Sequence, residues 1–284
     1  MKEFKETFAD PQIISYELKK RKKDLIFWIG GIFFILLIFF FVSSKDFSFL
    51  LVLSSMVQML SFIIIIIKVW SFRNCSGISL NTVTSYIIIL ISRLSSTLFY
   101  NGYLPSDEAG DWFYQLTEIV TLFSLFFLYY IITRLFKDTY NSDLDAISWK
   151  YLLLPSLGIA LIAHTHLNKN LITDVLWCLS MYLEAVAIFP QIYLFHQKKG
   201  QIESFTSHYV AFQGFSRVFS LIFWWQTYEE LVDSGSEGYS LFQHYVGYLV
   251  ILSQIIQLVI MIEFFYLYFK ALIKGEKMTM ESML

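Results

Sequence analysis

Long apolar stretches alternate with short polar and charged segments along the chain. A helix needs roughly 20 apolar residues to cross the hydrocarbon core of a bilayer. Eight stretches are candidates, and the pattern places them at about residues 25–43, 47–70, 81–100, 112–135, 149–164, 171–195, 206–227 and 240–272. The fifth is short and only lightly apolar, and the last is longer than one crossing needs. The pattern therefore predicts an all-α polytopic membrane protein.

Composition supports a membrane protein and gives no sign of catalysis. Of the 284 residues, 56% are hydrophobic and 15% are charged, and the mean hydropathy is +0.58. The two cysteines, Cys75 and Cys178, fall in different segments, so neither a disulfide framework nor a metal-binding spacing is indicated. No nucleophile, phosphate-loop or zinc-protease motif is present. We expect no enzymatic activity, no cofactor, no metal and no nucleic-acid partner.

The basic residues fall mainly on one side of the predicted membrane. They cluster in the N-terminal tail and in the segments around residues 68–73, 134–150, 198–199 and 270–277. The opposite side holds Lys45 and Lys169, and its loops are acidic around residues 107–111 and 229–237. By the positive-inside rule, both termini should lie on the cytosolic side, or on the matrix side in a mitochondrion.

A basic cluster directly precedes the first predicted span. Such a cluster attracts anionic headgroups with about 1 kcal/mol per charge. We expect cardiolipin or another anionic phospholipid to bind there. The lipid-contact candidates are Lys19, Lys20, Arg21, Lys22 and Lys23.

A weak internal repeat divides the chain. Gln58 is followed one predicted helix later by Arg93, and Gln191 is followed in the same way by Arg217. This pattern indicates two three-helix bundles joined by a linker helix at 149–164. Parallel repeats of this type occur in membrane transporters.

Five stretches give the chain a resemblance to a known family. They are KVWSFRNCSGIS (68–79), FKDTYN (136–141), LWCLSMYLEAVAIFPQIYLF (176–195), TSHY (206–209) and EFFYLYFKALIKGEK (263–277). In this order and spacing they resemble the KDEL receptor family, the ER lumen protein retaining receptors. The resemblance runs from about residue 50 to residue 280.

This resemblance implies a SWEET/PQ-loop-like fold of seven helices, built from two three-helix bundles and a linker helix. One further N-terminal transmembrane helix would be specific to this chain. The predicted organisation is a basic tail on the cytosol or matrix side at 1–24, the extra helix at 25–46, the receptor-like domain at 47–274 and a C-terminal tail at 275–284.

Family members bind the C-terminal retrieval signal of escaped ER proteins in a lumenal cavity, where arginines hold the carboxylates of the signal. The resemblance implies that some polar and aromatic positions are kept here, among them Asp174 for a glutamate and Glu263 for an aspartate. The family-matching positions are Arg93, Asp174, Trp177, Glu184, Pro190, Gln191, Arg217, Trp224 and Glu263. The ligand positions that are lost are Leu51, Gln58, Leu94, Ser96, Ser220, Phe223 and Thr227.

The lost positions change the expected ligand. Leu51 and Thr227 stand where the family has arginines, and the loops on that side are acidic. A peptide that ends in two acidic residues and a free carboxylate should be repelled by such a cavity. We therefore expect no binding of the retrieval-signal peptide.

Glu184 and Glu118 fall within long predicted spans and need cationic partners. Glu184 is expected to pair with Arg217, and Arg93 with Glu118. The first pair is either a structural link between helices or a switch. Pro190 should kink its helix, and Gln191 should bond to a backbone group that the kink frees within the bundle.

Three functions follow from these observations. The main hypothesis is a structural or accessory subunit of a larger membrane complex, with a mitochondrial respiratory or ATP synthase assembly as a candidate host. The alternative is an ER and Golgi retrieval receptor with altered specificity. A weaker alternative is a SWEET-like transporter of small solutes. The sequence leaves both the mitochondrial inner membrane and the ER or Golgi membranes open.

Overall fold

A computed structural model describes residues 49–104, 108–198, 200–231 and 245–280, together with Gly30 and Phe33. The predicted extra helix at 25–43 otherwise lies outside the described residues, as do the basic cluster at 19–23 and the tail beyond residue 280. Helices form nearly all of the regular structure that is described. This agrees with the predicted all-α polytopic class.

The described elements follow one another as helices with short connections. The first half contains α1 (Phe49–Phe72), α2 (Leu80–Thr97) and α3 (Glu108–Tyr130), which continues as a π-helical turn at Ile131–Leu135. Next come α4 (Trp149–Ile162), α5 (Leu171–Glu184), α6 (Phe189–Lys198) and α7 (Ser204–Thr227). The chain then forms α8 (Val246–Ile260) and α9 (Ile262–Lys274), and the strands β1 (Gly200–Gln201) and β2 (Thr279–Met280) pair in antiparallel orientation.

Polar side chains begin several of these helices. The Ser79 hydroxyl accepts a hydrogen bond from the Thr82 amide at 3.0 Å, which caps α2. The Asn170 side chain accepts from the amides of Ile172 and Thr173 and caps α5. Such caps satisfy amides that have no partner within the helix. Gly275 ends α9 in the left-handed conformation with φ 65°, as is common at helix C-termini.

Helix packing repeats between the two halves. The first half is α1 to α3, and the second half is α5 to α9, in which α5–α6 and α8–α9 each count as one broken helix. In the first half, α3 contacts both α1 and α2; in the second half, α8 contacts both α5 and α7. The halves meet where α1 packs along α7 and α2 packs along α5, while α4 contacts α5 and α2. The third helix of each half thus touches the first and the second.

The segment predicted as one span at 171–195 is broken near its middle. Helix α5 ends at Glu184 and α6 begins at Phe189, with tight turns between them. The Phe189 amide donates to the Val186 carbonyl at 3.0 Å, so a tighter turn replaces the α-helical bond. Pro190 has no amide proton to donate and favours the first turn of a helix. The kink expected from Pro190 is therefore a break just before it.

The overlong last span is also divided. Helices α8 and α9 meet at Met261 with a bend of 48°. Across from the bend lies Gly214 of α7, where an added Cβ would stand 2.3 Å from the Phe265 ring and 2.9 Å from the Met261 methyl group. Only a glycine lets the three residues approach this closely.

Membrane-crossing length is clear for part of the described chain. By length and apolar composition, three helical segments are able to cross a membrane, at Phe49–Phe72, Asp111–Leu135 and Leu171–Lys198. The bent pair α8–α9 is a fourth candidate. Helix α4 is apolar but shorter. These segments support an integral membrane protein.

The end of the helix bundle that carries the basic segments is held by polar contacts, and we call it the basic end. Gln191 accepts a hydrogen bond from the Ser79 amide at 2.9 Å and donates to the Gly77 carbonyl at 2.8 Å. The expected partner of Gln191 is thus corrected: it is the loop before α2, not a group freed by the Pro190 kink. Asp145 stabilises the same end, because it accepts hydrogen bonds from the Ser79 and Tyr140 hydroxyls at 2.7 Å each. Burial, followed by this bond to Asp145, raises the pKa of Tyr140.

The described part of the C-terminal tail folds onto the same end. The Ile202 amide donates to the Met278 carbonyl at 2.8 Å, next to the β1–β2 pair. Met278 and Met280 are buried. Glu263, at the start of α9, lies 3.6 Å from the His196 ring and is about half-exposed. Its contact is therefore at this end and not in a central cavity.

Candidate functional site: a buried charge cluster beneath an outer cavity

Five polar side chains from five helices meet in the centre of the described bundle, and we call them the inner charge cluster. Glu184 lies in the middle. One of its carboxylate oxygens accepts from Gln58 at 2.7 Å, and the other pairs with Arg217 at 2.7 Å and with Arg93. Arg93 also pairs with Glu118 at 3.0 Å. All five side chains are buried.

The cluster is electrically balanced, since two guanidinium groups face two carboxylates. Charges that are buried in this way are tolerated only if each is paired and hydrogen-bonded. Gln58, Arg93 and Glu118 come from the first half of the fold, whereas Glu184 and Arg217 come from the second. The cluster therefore joins the two halves across their interface.

Both predicted ion pairs are present in the structure, which brings them together through Glu184. Gln58 was expected to be a lost ligand position, and in the structure it donates a hydrogen bond to Glu184. That role is only weakly signalled in the sequence, by a lone glutamine in an apolar helix.

Very little space is left beside this cluster. The cavity next to it has a volume of about 10 Å³, room for one water molecule at most. Leu51 and Ser220, two of the lost ligand positions, lie in its wall. The remaining lining includes Arg93, Glu184 and Arg217 from the cluster, together with Tyr103 and Trp224.

A larger outer cavity lies beyond an aromatic wall. Its volume is about 360 Å³. Tyr103 and Trp224 line both cavities, so these two side chains separate the outer space from the inner one. Tyr103 stacks on Trp177 with 4.1 Å between ring centroids, and Trp177 meets Trp224 edge-on at 5.5 Å. Three of the aromatic residues at this level thus form one packed group.

The outer cavity has acidic walls. Asp111 and Glu230 line it, and among the described lining residues there is no lysine or arginine. Phe223 and Thr227, two more of the lost ligand positions, also face it. A ligand in this cavity would meet negative charge at the wall and an aromatic floor.

Two donors near the floor have no protein acceptor among the described residues. They are the indole Nε1 of Trp224 and the guanidinium Nε of Arg217. Both side chains are buried, at 5% and 2% exposure. Buried donors are nearly always paired with protein, water or ligand. These donors therefore suit a molecule that carries an acceptor group.

Asp174, a family-matching position, and Ser96, a lost ligand position, both bond to Asn168, which follows Leu167 of the outer cavity wall. Asp174 accepts from the Tyr103 hydroxyl and, at 3.1 Å, from the Asn168 amide. Ser96 accepts from the Asn168 side chain at 2.7 Å. Leu94 is buried among the packed helices and lines neither cavity. The lost positions therefore do not form one continuous surface here.

A bundle of broken, apolar helices with a polar centre and a cavity between its halves is the plan of membrane receptors and transporters. The ER lumen protein retaining receptor family model matches residues 74–227, more than half of the chain. The chain belongs to this family.

Similar proteins agree with the family match. One is the ER lumen protein-retaining receptor 3 of Xenopus tropicalis, which is 28% identical over 226 residues, covering 78% of this chain and 93% of the relative. Another is the ER lumen protein-retaining receptor 2 of Homo sapiens, 26% identical over 223 residues, covering 78% of this chain and 92% of the relative. These relatives are named as receptors and not as enzymes, which fits the expectation that the chain has no catalytic activity.

Proposed function

We propose that this chain is a KDEL-receptor-like membrane receptor of the ER and Golgi, and that it binds a C-terminal peptide signal of changed charge. From the sequence alone, we expected an accessory subunit of a larger complex. The family match and the receptor relatives support the retrieval receptor better, and they give no support to a mitochondrial location. We expected no binding of a signal peptide from the sequence, and we now propose such a peptide as the ligand, with altered specificity.

The observation that carries this proposal is the outer cavity with the indole N–H of Trp224 at its floor, a donor that has no acceptor among the described residues. A volume of about 360 Å³ falls within the ordinary range of ligand pockets, roughly 300–1,000 Å³. A terminal carboxylate is an acceptor that would satisfy the Trp224 indole. Hydrogen bonds from protein donors to a carboxylate are short and strong.

The charges define which peptide would fit. Asp111 and Glu230 line the outer cavity, and the two arginines near it already pair with Glu118 and Glu184. Acidic side chains would meet repulsion without a free cation. The proposed ligand is a C-terminal peptide with neutral or basic side chains before its terminal carboxylate.

We further propose that the receptor-like domain has the SWEET-like arrangement of two parallel three-helix bundles around α4. The matching contacts of α3 in one half and α8 in the other support this. In the proposed orientation, the basic end faces the cytosol and the outer cavity faces the lumen. The distribution of lysine and arginine supports that orientation.

A second function is favoured by one observation. The inner charge cluster is self-neutralised, and the cavity beside it is nearly closed, at about 10 Å³. A scaffold that no longer binds a ligand would have this property. An accessory subunit of a membrane complex therefore remains the second candidate.

Selection of peptides tests the proposal directly. The full chain in lipid nanodiscs is exposed to a library of peptides with randomised free C-termini, with empty nanodiscs as the control. We expect retained sequences to be rich in neutral and basic residues and poor in aspartate and glutamate. Retention equal to that on empty nanodiscs, combined with comigration with a large complex from native membranes, would favour the subunit function instead.

A further inference from the structure

Arg93 of α2 is held between two carboxylates that come from different helices. Glu118 of α3 approaches Nη1 at 3.0 Å, and Glu184 of α5 contacts Nη2. The Arg93 Nε also donates to the Ser180 hydroxyl at 3.4 Å. The guanidinium therefore has an anionic partner on each side.

The two carboxylates differ in the number of their other partners. Glu184 also binds Gln58 and Arg217, so it would keep a cationic partner if Arg93 were absent. The ion pair of Glu118 is with Arg93 alone among the described residues. Glu118 therefore supplies the second negative charge that brings the cluster to neutrality.

Arg93 also lies close to where a ligand would enter. It lines the inner cavity together with Tyr103 and Trp224, and these two side chains also line the outer cavity. The side chains of Tyr103 and Trp224 separate the two cavities, so the net charge of the cluster acts on a ligand in the outer cavity. In a medium of low polarity, one uncompensated charge acts over such distances.

We propose that Glu118 is a specificity-determining residue, which occupies Arg93 from within the protein and so excludes peptides with acidic side chains. This inference rests on the proposed function and names the residue that sets its charge preference. The internal carboxylate takes the place that a ligand carboxylate would otherwise fill. Without it, one guanidinium charge would be left to attract an acidic peptide.

The inference differs from a purely structural role for Glu118. A link between α2 and α3 would lower stability when broken and would weaken every ligand alike. The proposed role changes the ratio between two ligands that differ only in charge. That ratio is the quantity to measure.

The test uses the full chain in nanodiscs and two labelled peptides with the same neutral body. One peptide ends in Asp-Glu-Leu and the other in Asn-Gln-Leu. The wild-type protein should prefer the neutral peptide. In Glu118→Gln, the affinity for the acidic peptide should rise about tenfold relative to the neutral one, as expected for one uncompensated charge at short range.

Two further variants guard the result. Glu118→Asp keeps the charge but shortens the side chain by one methylene group, and it should shift the ratio in the same direction by about threefold. In the double variant Glu118→Gln with Arg93→Met, the cation is also removed, so the gain should disappear.

The outcomes separate this inference from the proposed function. If the wild-type protein binds neither peptide, nor any from the library, the proposed function fails. If it binds the neutral peptide, and folded Glu118→Gln and Glu118→Asp proteins do so with an unchanged ratio, only the inference about Glu118 is overturned. A gain that persists in the double variant would also overturn it, since Arg93 would not be its source.

Discussion

The inner charge cluster and the outer cavity lie on opposite sides of the same aromatic wall, and they differ in nearly every physical property. The cluster contains two guanidinium groups and two carboxylates in a space with about 10 Å³ left over. The outer cavity has about 360 Å³ and is lined by Asp111 and Glu230. The comparison teaches that charges which satisfy one another stabilise the fold and leave no room for a ligand, whereas the outer cavity has the space that the proposed ligand needs.

The strongest way to break the comparison is to remove a cation from the cluster. Arg217→Met would leave Glu184 with one cation fewer in a buried site. Breaking a buried ion pair on one side costs roughly 3–5 kcal/mol. We expect a large fall in the thermal unfolding midpoint of the detergent-solubilised protein.

Arg134→Met is the matched control, because Arg134 is exposed. This change should move the midpoint little, since surface charges contribute about 0–1 kcal/mol. Equal effects of the two changes would show that the cluster does not hold the halves together.

A second prediction concerns the hydrogen bonds of Gln191 at the basic end. Gln191→Leu removes the partners of the Ser79 amide and the Gly77 carbonyl. The bond to the Ser79 amide is buried, and leaving one buried polar group unsatisfied costs about 1–3 kcal/mol. The bond to the Gly77 carbonyl is only partly buried, so water replaces Gln191 there at little cost. The same unfolding assay should show a smaller loss than Arg217→Met produces. Gln226→Leu, at an exposed glutamine, should have almost no effect. A similar loss there would mean that the hydrogen bonds of Gln191 are not what stabilises the basic end.

A third prediction tests the floor of the outer cavity. Trp224→Phe keeps an aromatic ring but removes the indole N–H, which has no protein acceptor among the described residues. If this donor binds the terminal carboxylate, peptide affinity should fall at least about tenfold, because hydrogen bonds to charged groups contribute about 1.5–3 kcal/mol. Fluorescence anisotropy of a labelled peptide measures this.

The control for this change is Trp225→Phe, since Trp225 is 62% exposed and lines neither cavity. It should leave the affinity unchanged. An equal loss in both variants would place the peptide elsewhere.

The smallest predicted effect is at the acidic wall. Glu230→Gln should weaken a lysine-containing peptide about threefold at low salt, and the effect should fade as salt screens the exposed charge. Glu263→Gln, at the basic end of the fold, should not change affinity. A salt-independent effect of Glu230→Gln would mean that its charge is not what matters.

The sequence predicted the class of fold and the main partners within the cluster well. The positions of most helices were predicted from the length of the apolar stretches. The pairing of Glu184 with Arg217 was predicted because an unpaired charge in a membrane costs much free energy. Pro190 signalled the break in its own helix, whereas the bend at Met261 was less visible, because Met261 and Phe265 pack there against Gly214 of another helix. Gly214, which gives Phe265 its space, carries no such signal in the sequence.

The site was harder to predict than the fold. Leu51 lines the cavity beside the cluster and Thr227 lines the outer cavity, and the loss of ligand contacts at these two positions stays a prediction. Gln58 looked like a lost ligand position, but its partner Glu184 is distant in sequence and only the packing of α1 against the second half brings them close. Gln191 was expected to act within its own bundle, yet its partners belong to the loop before α2.

The central claim is that the outer cavity binds a C-terminal peptide. Photoaffinity labelling tests this most directly, with a lysine-containing peptide from the library that carries a photoreactive group at its last residue. The account predicts that mass spectrometry finds the label on residues that line the outer cavity, such as Tyr103 or Thr227, and that excess unlabelled peptide removes it. Label found only on other surfaces, or label that competitor does not displace, would contradict the account.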